Sequence, residues 1–200
     1  MENFGPSSEI KNDIKMRIFL KGLTRNTSKF KFVHHHHGFY GLSEISSILR
    51  ETKEYLESIG SEFHLFTCVR EPISFQKSRI NYLRNKGHAP DITFEDACTS
   101  LNHQNVMYKY LLYNHPKRWA ERAPSDDRFE TAYSLLDKVF VLERYHDLVN
   151  WLEEISGVSV LTPEKRQNVG AHALTPTPDQ IEQLMSVNHL DAILYKKALT

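Results

Sequence analysis

The sequence predicts an α/β domain built on a short, mainly parallel sheet. Two apolar runs of strand length, "FHLFTCVR" (63–70) and "VFVLE" (139–143), are each followed by a segment of helix length, "SFQKSRINYLRNK" (74–86) and "YHDLVNWLEEISG" (145–157). Strands that alternate with helices have to return in the same direction, which makes parallel neighbours. In such sheets, ligands bind at the carboxyl ends of the strands. Arg70 stands at one such end, and Arg144 directly follows the second run.

The elements follow from local pattern. Residues 1–8 have the composition of a disordered lead, and 9–200 form the domain. Ser7 or Ser8 can cap a helix that carries Ile10, Ile14, Ile18 and Leu20. "KFKFV" (29–33) alternates as a strand and enters the histidine run 34–37. In "SEISSILRETKEYLES" (43–58), Ser43 suits the N-cap. Ile45, Ile48, Leu49, Tyr55 and Leu56 form its apolar stripe, and Gly60 ends it. "TFEDACTSL" (93–101) opens with Thr93 and Asp96 as a capping box. Residues 103–113 predict a tyrosine-rich helix, 114–127 a polar loop and "RFETAYSLLDK" (128–138) another helix. Gly157 closes the helix 145–157. A loop (158–178) leads to one last helix from about Pro178 to Leu199.

Composition narrows the function classes. Lys+Arg and Asp+Glu are equal, at 25 each. No global field therefore draws the protein to nucleic acid or to a membrane, and any anion site must be local. The two cysteines do not make a disulfide framework, and Cys68, in an apolar run, predicts a small buried residue rather than a reactive thiol. No stretch reaches the roughly 18 apolar residues of a transmembrane helix. The first residues lack the basic-then-apolar order of a signal peptide, so the chain as given predicts a soluble protein.

Three constellations carry chemistry. In the first, Arg70 ends a strand, Pro72 stops it, and Ser78 lies in the following helix. A guanidinium fork and a hydroxyl suit a phosphate. Arg70 paired with Glu71 or with a surface carboxylate is the plainer alternative. In the second, His34–His37, alternate residues of an extended segment share a face, so His35 and His37 point the same way. A histidine there can take a proton from a hydroxyl nucleophile. Solvated loop histidines explain the same run, and no Cys/His partner spacing indicates a metal. The third, "EKRQN" (164–168), is a basic loop that can wrap a phosphate or simply be solvated. A P-loop kinase is disfavoured because no Gly-x-x-x-x-Gly-Lys-Ser/Thr occurs.

Taken together, these segments resemble the membrane-associated carbohydrate sulfotransferases, the group that includes heparan sulfate 2-O-sulfotransferase. "VREPISFQKSRINYL" is similar to the family's 3'-phosphate motif, with Ser78 eight positions after Arg70. "HHHHGFYGL" resembles its His-x-His segment, which places the base on His37 beside His35. "TFEDAC", "NVMYKYL" (with Met107 where glutamine is usual) and "KVFVLERYHDLVNWLEEISGV" resemble the segments that follow. "KRQNVGAHALTPTPDQIEQLMSVNHLDAILYKKAL" resembles the terminal loop and helix, with Asp191 and Tyr195 in their usual places. The resemblance covers roughly residues 33–199.

The resemblance implies a three-layer sulfotransferase-like fold related to the P-loop nucleotide hydrolases. It implies 3'-phosphoadenosine 5'-phosphosulfate as co-substrate, no metal, and a glycan or other hydroxyl-bearing acceptor. His37 would be the catalytic base, Arg70 and Ser78 would hold the 3'-phosphate, and Lys165 or Arg166 would close over it. The family's Pro-Lys-x-x-Gly-Thr loop for the 5'-phosphosulfate is not evident. Lys21, Gly22 and Thr24 share its composition without its order, and residues 9–25 match the helix that follows it. The chain therefore predicts an N-terminally truncated or degenerate member, the alternative being a non-catalytic relative that binds nucleotide or glycan. A piece of a eukaryotic member implies the Golgi lumen; a bacterial member implies the cytoplasm.

Overall fold

A computed structural model describes residues 41–43, 45–112, 126–159 and 174–200. The predicted N-terminal helix, the strand 29–33, the histidine run and the loop with Lys165 and Arg166 lie outside the described residues, as does most of the polar loop 114–127. Among the described residues the architecture is helix-rich α/β around a two-stranded parallel sheet.

Both predicted strands are present and pair with each other. β1 (Phe66–Val69) lies parallel to β2 (Lys138–Val141), with Phe66 opposite Lys138 and Val69 opposite Val141. Each is shorter than its apolar run. Phe63 and Leu65 precede β1 and pack with Ile45, Ile48 and Leu49 of the α1 region (α1, Ser46–Ser58). Beyond β2, Leu142–Arg144 tighten into a 3-10 turn that leads into a helix. An apolar run thus marks what is covered, and only part of it is paired. Cys68 is exposed rather than buried. β1 has a single partner strand among the described residues, so a small side chain on it gains little cover from the sheet itself.

Between the strands run α2 (Pro72–Asn85), α3 (Phe94–Thr99), a 3-10 turn (Leu101–His103), α4 (Val106–Leu112) and α5 (Asp126–Tyr133). After β2 come α6 (Tyr145–Ser156), α7 (Pro178–Val187) and α8 (His189–Leu199). Side-chain caps start several of them. Glu71 accepts from the amides of Ile73 and Ser74, and Pro72 takes the first helical position, where no amide is needed, so α2 begins at residue 72 rather than 74. Thr93 and Asp96 close the predicted capping box on α3, and Thr177 and Gln180 make another on α7. Gly157 ends α6 in the left-handed region at φ 64°, where a side chain is strained. Ser43 is not the cap of α1: its hydroxyl donates to the carbonyl of Leu112 at 2.8 Å, and Ile45 holds the N-cap position. Tyr55, placed on the apolar stripe by spacing, is 52% exposed.

Besides the cluster at α1, two larger apolar clusters among the described residues hold these parts together. Val69 and Val141 pack with Val106, Leu112, Phe129 and Leu194, which joins the sheet to α4, α5 and α8. Ile80, Phe94, Ala97 and Leu184 join α2, α3 and α7. Ile80, Leu112 and Leu184 are fully enclosed. Truncating any one of them to alanine removes packing worth about 2–5 kcal/mol. On the other side, Trp151 of α6 meets the rings of Phe66 and Phe140 at 5.1 and 5.3 Å.

The predicted helix 178–199 is two helices broken at Asn188. Asn188 is fully buried, and its side chain donates to Leu184 O at 2.8 Å. Its Oδ1 accepts from Gln76 Nε2 at 2.9 Å and from the Asn105 amide at 2.8 Å. A buried amide with those partners fixes a break that helical periodicity alone does not show.

Candidate functional site

The site is built around the turn from β1 into α2. Arg70 follows the last residue of β1, at the carboxyl end of a parallel strand, half-exposed. Its Nε lies 3.7 Å from Glu143 Oε1, a carboxylate on the turn after β2. The same oxygen accepts from the Glu71 amide at 3.2 Å. The surface-carboxylate alternative for Arg70 is therefore realised, with Glu143 as the partner. Both side chains are more than a third exposed, 36% and 39%, and such a pair is worth about 0–1 kcal/mol. Arg70 is thus restrained rather than committed.

Ser78 is exposed on α2, six residues beyond Pro72 and about 9 Å along the helix axis. Ser74 lies on the same face one turn earlier. The Glu71 carboxylate already occupies the first amides of α2. An anion at this turn would meet the Arg70 side chain rather than the bare helix end, with the Ser78 hydroxyl nearly two turns further along α2. Cys68, just upstream, is exposed as a residue, but its sulfur is partly covered. Desolvation at its sulfur, and then the charge of Glu143, push the thiol up to about 11.

The buried side of α2 carries a polar constellation. Gln76 Nε2 donates to His103 O at 2.7 Å and to Asn188 Oδ1 at 2.9 Å. Flipping this amide would set its oxygen against two acceptors, so its orientation is determined. Gln76 Oε1 is then a buried acceptor with no donor among the described residues. One turn on, Arg79 Nη1 donates to His103 Nδ1 at 2.7 Å. Burial first, and the Arg79 charge next, hold the His103 imidazole below its usual range. Burial likewise lowers Arg79 itself and Lys109, whose Nζ donates to Leu101 O at 2.6 Å.

Behind this lies Asp191 of α8, fully buried, which accepts from the Tyr108 amide at 2.8 Å and the Met107 amide at 3.4 Å. Burial pushes its carboxyl up to about 6, opposed by those amides and by Lys109. Asn105 answers from the other helix: its Oδ1 accepts from the amides of Leu190 and Asp191 at 2.9 and 3.3 Å.

Of the predicted site residues, Arg70 and Ser78 are placed by one turn and the helix that leaves it. His35, His37, Lys165 and Arg166 lie outside the described residues. Gln76, His103, Asn105 and Asn188 were not singled out from the sequence. Each sits among polar neighbours in the sequence, so nothing local marks it as buried or names its partner. Among the described residues no group of His, Cys, Asp or Glu could hold a metal, and no helix is long and apolar enough to cross a membrane. No protein-family model, curated protein or solved structure matches the chain.

Proposed function

We propose that this chain is a sulfotransferase-like protein that binds 3'-phosphoadenosine 5'-phosphosulfate and transfers its sulfuryl group to a carbohydrate hydroxyl. One observation carries the proposal. A weakly held arginine stands at the carboxyl end of a parallel strand, two residues before a helix that exposes Ser78, and this supports reading the pair as a 3'-phosphate motif. Residue type and exposure fit a 3'-phosphate: Arg70 offers a planar pair of donors and Ser78 a hydroxyl. Binding would require Arg70 to exchange Glu143 for the phosphate, and an exposed ion pair resists this by only about 0–1 kcal/mol.

In this reading the fold is the three-layer sulfotransferase type, and β1 and β2 belong to its central sheet. Arg70 and Ser78 orient the nucleotide, and Lys165 or Arg166 covers it. His37, with His35 beside it, takes the proton from the acceptor hydroxyl as that oxygen bonds to sulfur and the bond from sulfur to the phosphate oxygen breaks. Catalysis of this kind rests on positioning and on stabilising charge. A second reading, a non-catalytic relative that binds nucleotide or glycan, rests on the sequence showing no evident Pro-Lys-x-x-Gly-Thr loop for the 5'-phosphosulfate.

Calorimetry with adenosine 3',5'-bisphosphate tests the site. Arg70→Ala and Ser78→Ala should each weaken binding, with loss of the charged contact costing about 1.5–3 kcal/mol. Unchanged affinity in both variants refutes the assignment. Binding without sulfate transfer to any glycan selects the second reading.

A further inference from the structure

We propose that His103 is a positioning residue for α2, acting as a proton-operated clamp on the helix that carries Ser78. Two side chains of α2, one turn apart, converge on this single residue. Gln76 Nε2 donates to its carbonyl at 2.7 Å, and Arg79 Nη1 donates to its ring Nδ1 at 2.7 Å. The second bond exists only while Nδ1 carries no proton, because a guanidinium can only donate. His103 must therefore be neutral with its proton on Nε2. Protonation replaces a hydrogen bond by two cations in contact and leaves α2 with one of its two tethers to the turn.

The surroundings favour the neutral ring. Arg79 faces it from α2, Asp96 from α3 and Lys109 from α4. Asp191 of α8 lies beyond, against Arg79 and Lys109. Two cations and the burial of the ring outweigh the one exposed carboxylate, Asp96. No hydrogen bond or ion pair joins His103 to Arg70 or Ser78, so it acts through the placement of α2. Its consequence for ligand binding rests on the proposed nucleotide site, whereas the clamp itself does not.

Substitution by asparagine separates the proton from the packing. The Asn Oδ1 sits where Nδ1 does, accepts from Arg79 and does not titrate. Hydrogen exchange of the α2 amides, corrected for the intrinsic pH dependence, should show protection lost between pH 7.5 and 5.5 in the wild type and kept in His103→Asn. Affinity for adenosine 3',5'-bisphosphate should match in the two proteins at pH 7.5. At pH 5.5 the wild type should be weaker, by at most about tenfold, the limit set by an imidazole that titrates no higher than about 6.5. The ligand's own protonation is common to both and cancels. Should His103→Asn fail to fold, nitrogen chemical shifts of the wild-type ring decide: Nε2–H at pH 7.5 supports the clamp, and Nδ1–H overturns it. Equal pH dependence of α2 exchange in both proteins also overturns it. Absence of nucleotide binding at pH 7.5 with the exchange difference intact defeats the nucleotide site and leaves the clamp standing.

Discussion

Asn105 and Asp191 cap each other's helices. Asn105, just before α4, accepts from the amides of Leu190 and Asp191 at the start of α8. Asp191 in turn accepts from the amides of Met107 and Tyr108 at the start of α4. Asn188, at the cap position of α8, closes the arrangement by accepting from the Asn105 amide. Each helix start leaves amides without intrahelical partners, and here each supplies the acceptor the other lacks. Asn105 has φ 50°, a left-handed conformation asparagine tolerates better than most residues, and this turn brings its side chain across. The partners are separated by more than 80 residues, so the exchange ties the end of the chain to its middle.

Removing either partner should therefore be costly. Asn105→Ala and Asp191→Ala each leave buried amides unsatisfied, worth about 1–3 kcal/mol. Urea denaturation of the two single variants and the double variant should show costs that do not add, with a coupling of about 0.5–3 kcal/mol. Strict additivity would mean that the two caps act independently.

His103 should make stability depend on pH. Its folded-state value is depressed, by burial and then by Arg79, while the unfolded chain takes the proton at about 6.5. Its contribution is present above about 6.5 and is lost as the pH falls through the lower, folded value. Asp191, pushed up to about 6, works in the opposite sense, because its protonation favours the fold as the pH drops below that value. The informative quantity is the difference between wild type and His103→Asn, in which the Asp191 share cancels. Thermal melts between pH 7.5 and 5 should show the wild type losing more than the variant.

Glu143→Gln should strengthen anion binding at Arg70. The carboxylate 3.7 Å from Arg70 competes with a phosphate, whereas a neutral amide does not. The Gln oxygen can still accept from the Glu71 amide, which Glu143 now does at 3.2 Å. Affinity for adenosine 3',5'-bisphosphate should rise by up to about fivefold, the equivalent of about 1 kcal/mol, with little change in stability. A drop in affinity would show that Glu143 orients Arg70 rather than competing for it.

If the proposed function holds, His37→Ala should abolish any sulfate transfer to a glycan and leave nucleotide affinity nearly unchanged, because a base acts on the acceptor hydroxyl and not on the 3'-phosphate. Radiolabelled transfer assays run beside calorimetry separate the two effects. Transfer that survives the substitution would assign the base elsewhere, with His35 the next residue to replace.

The two strands, their parallel sense, the start of α3 at its capping box and the end of α6 at Gly157 were legible in the sequence. Each depends on neighbours along the chain: an apolar run, a Thr-to-Asp spacing, a glycine after a periodic stretch. The position of Arg70 at a strand end was legible for the same reason. Its partner was not: the chain offers Glu71 or some surface carboxylate, and only the pairing of β1 with β2 brings Glu143 within reach. The break at Asn188 was hidden because 178–199 keeps an unbroken helical composition. A buried amide interrupts it only when Gln76 and Asn105, 112 and 83 residues away, are folded against it. The exposure of Cys68 likewise depends on what packs over β1, which an apolar run does not state. Local propensity and capping are properties of short segments and survive in one dimension. Which buried polar groups satisfy one another is decided by long-range packing, because burial is what makes an unpaired donor costly, and burial exists only in the folded chain.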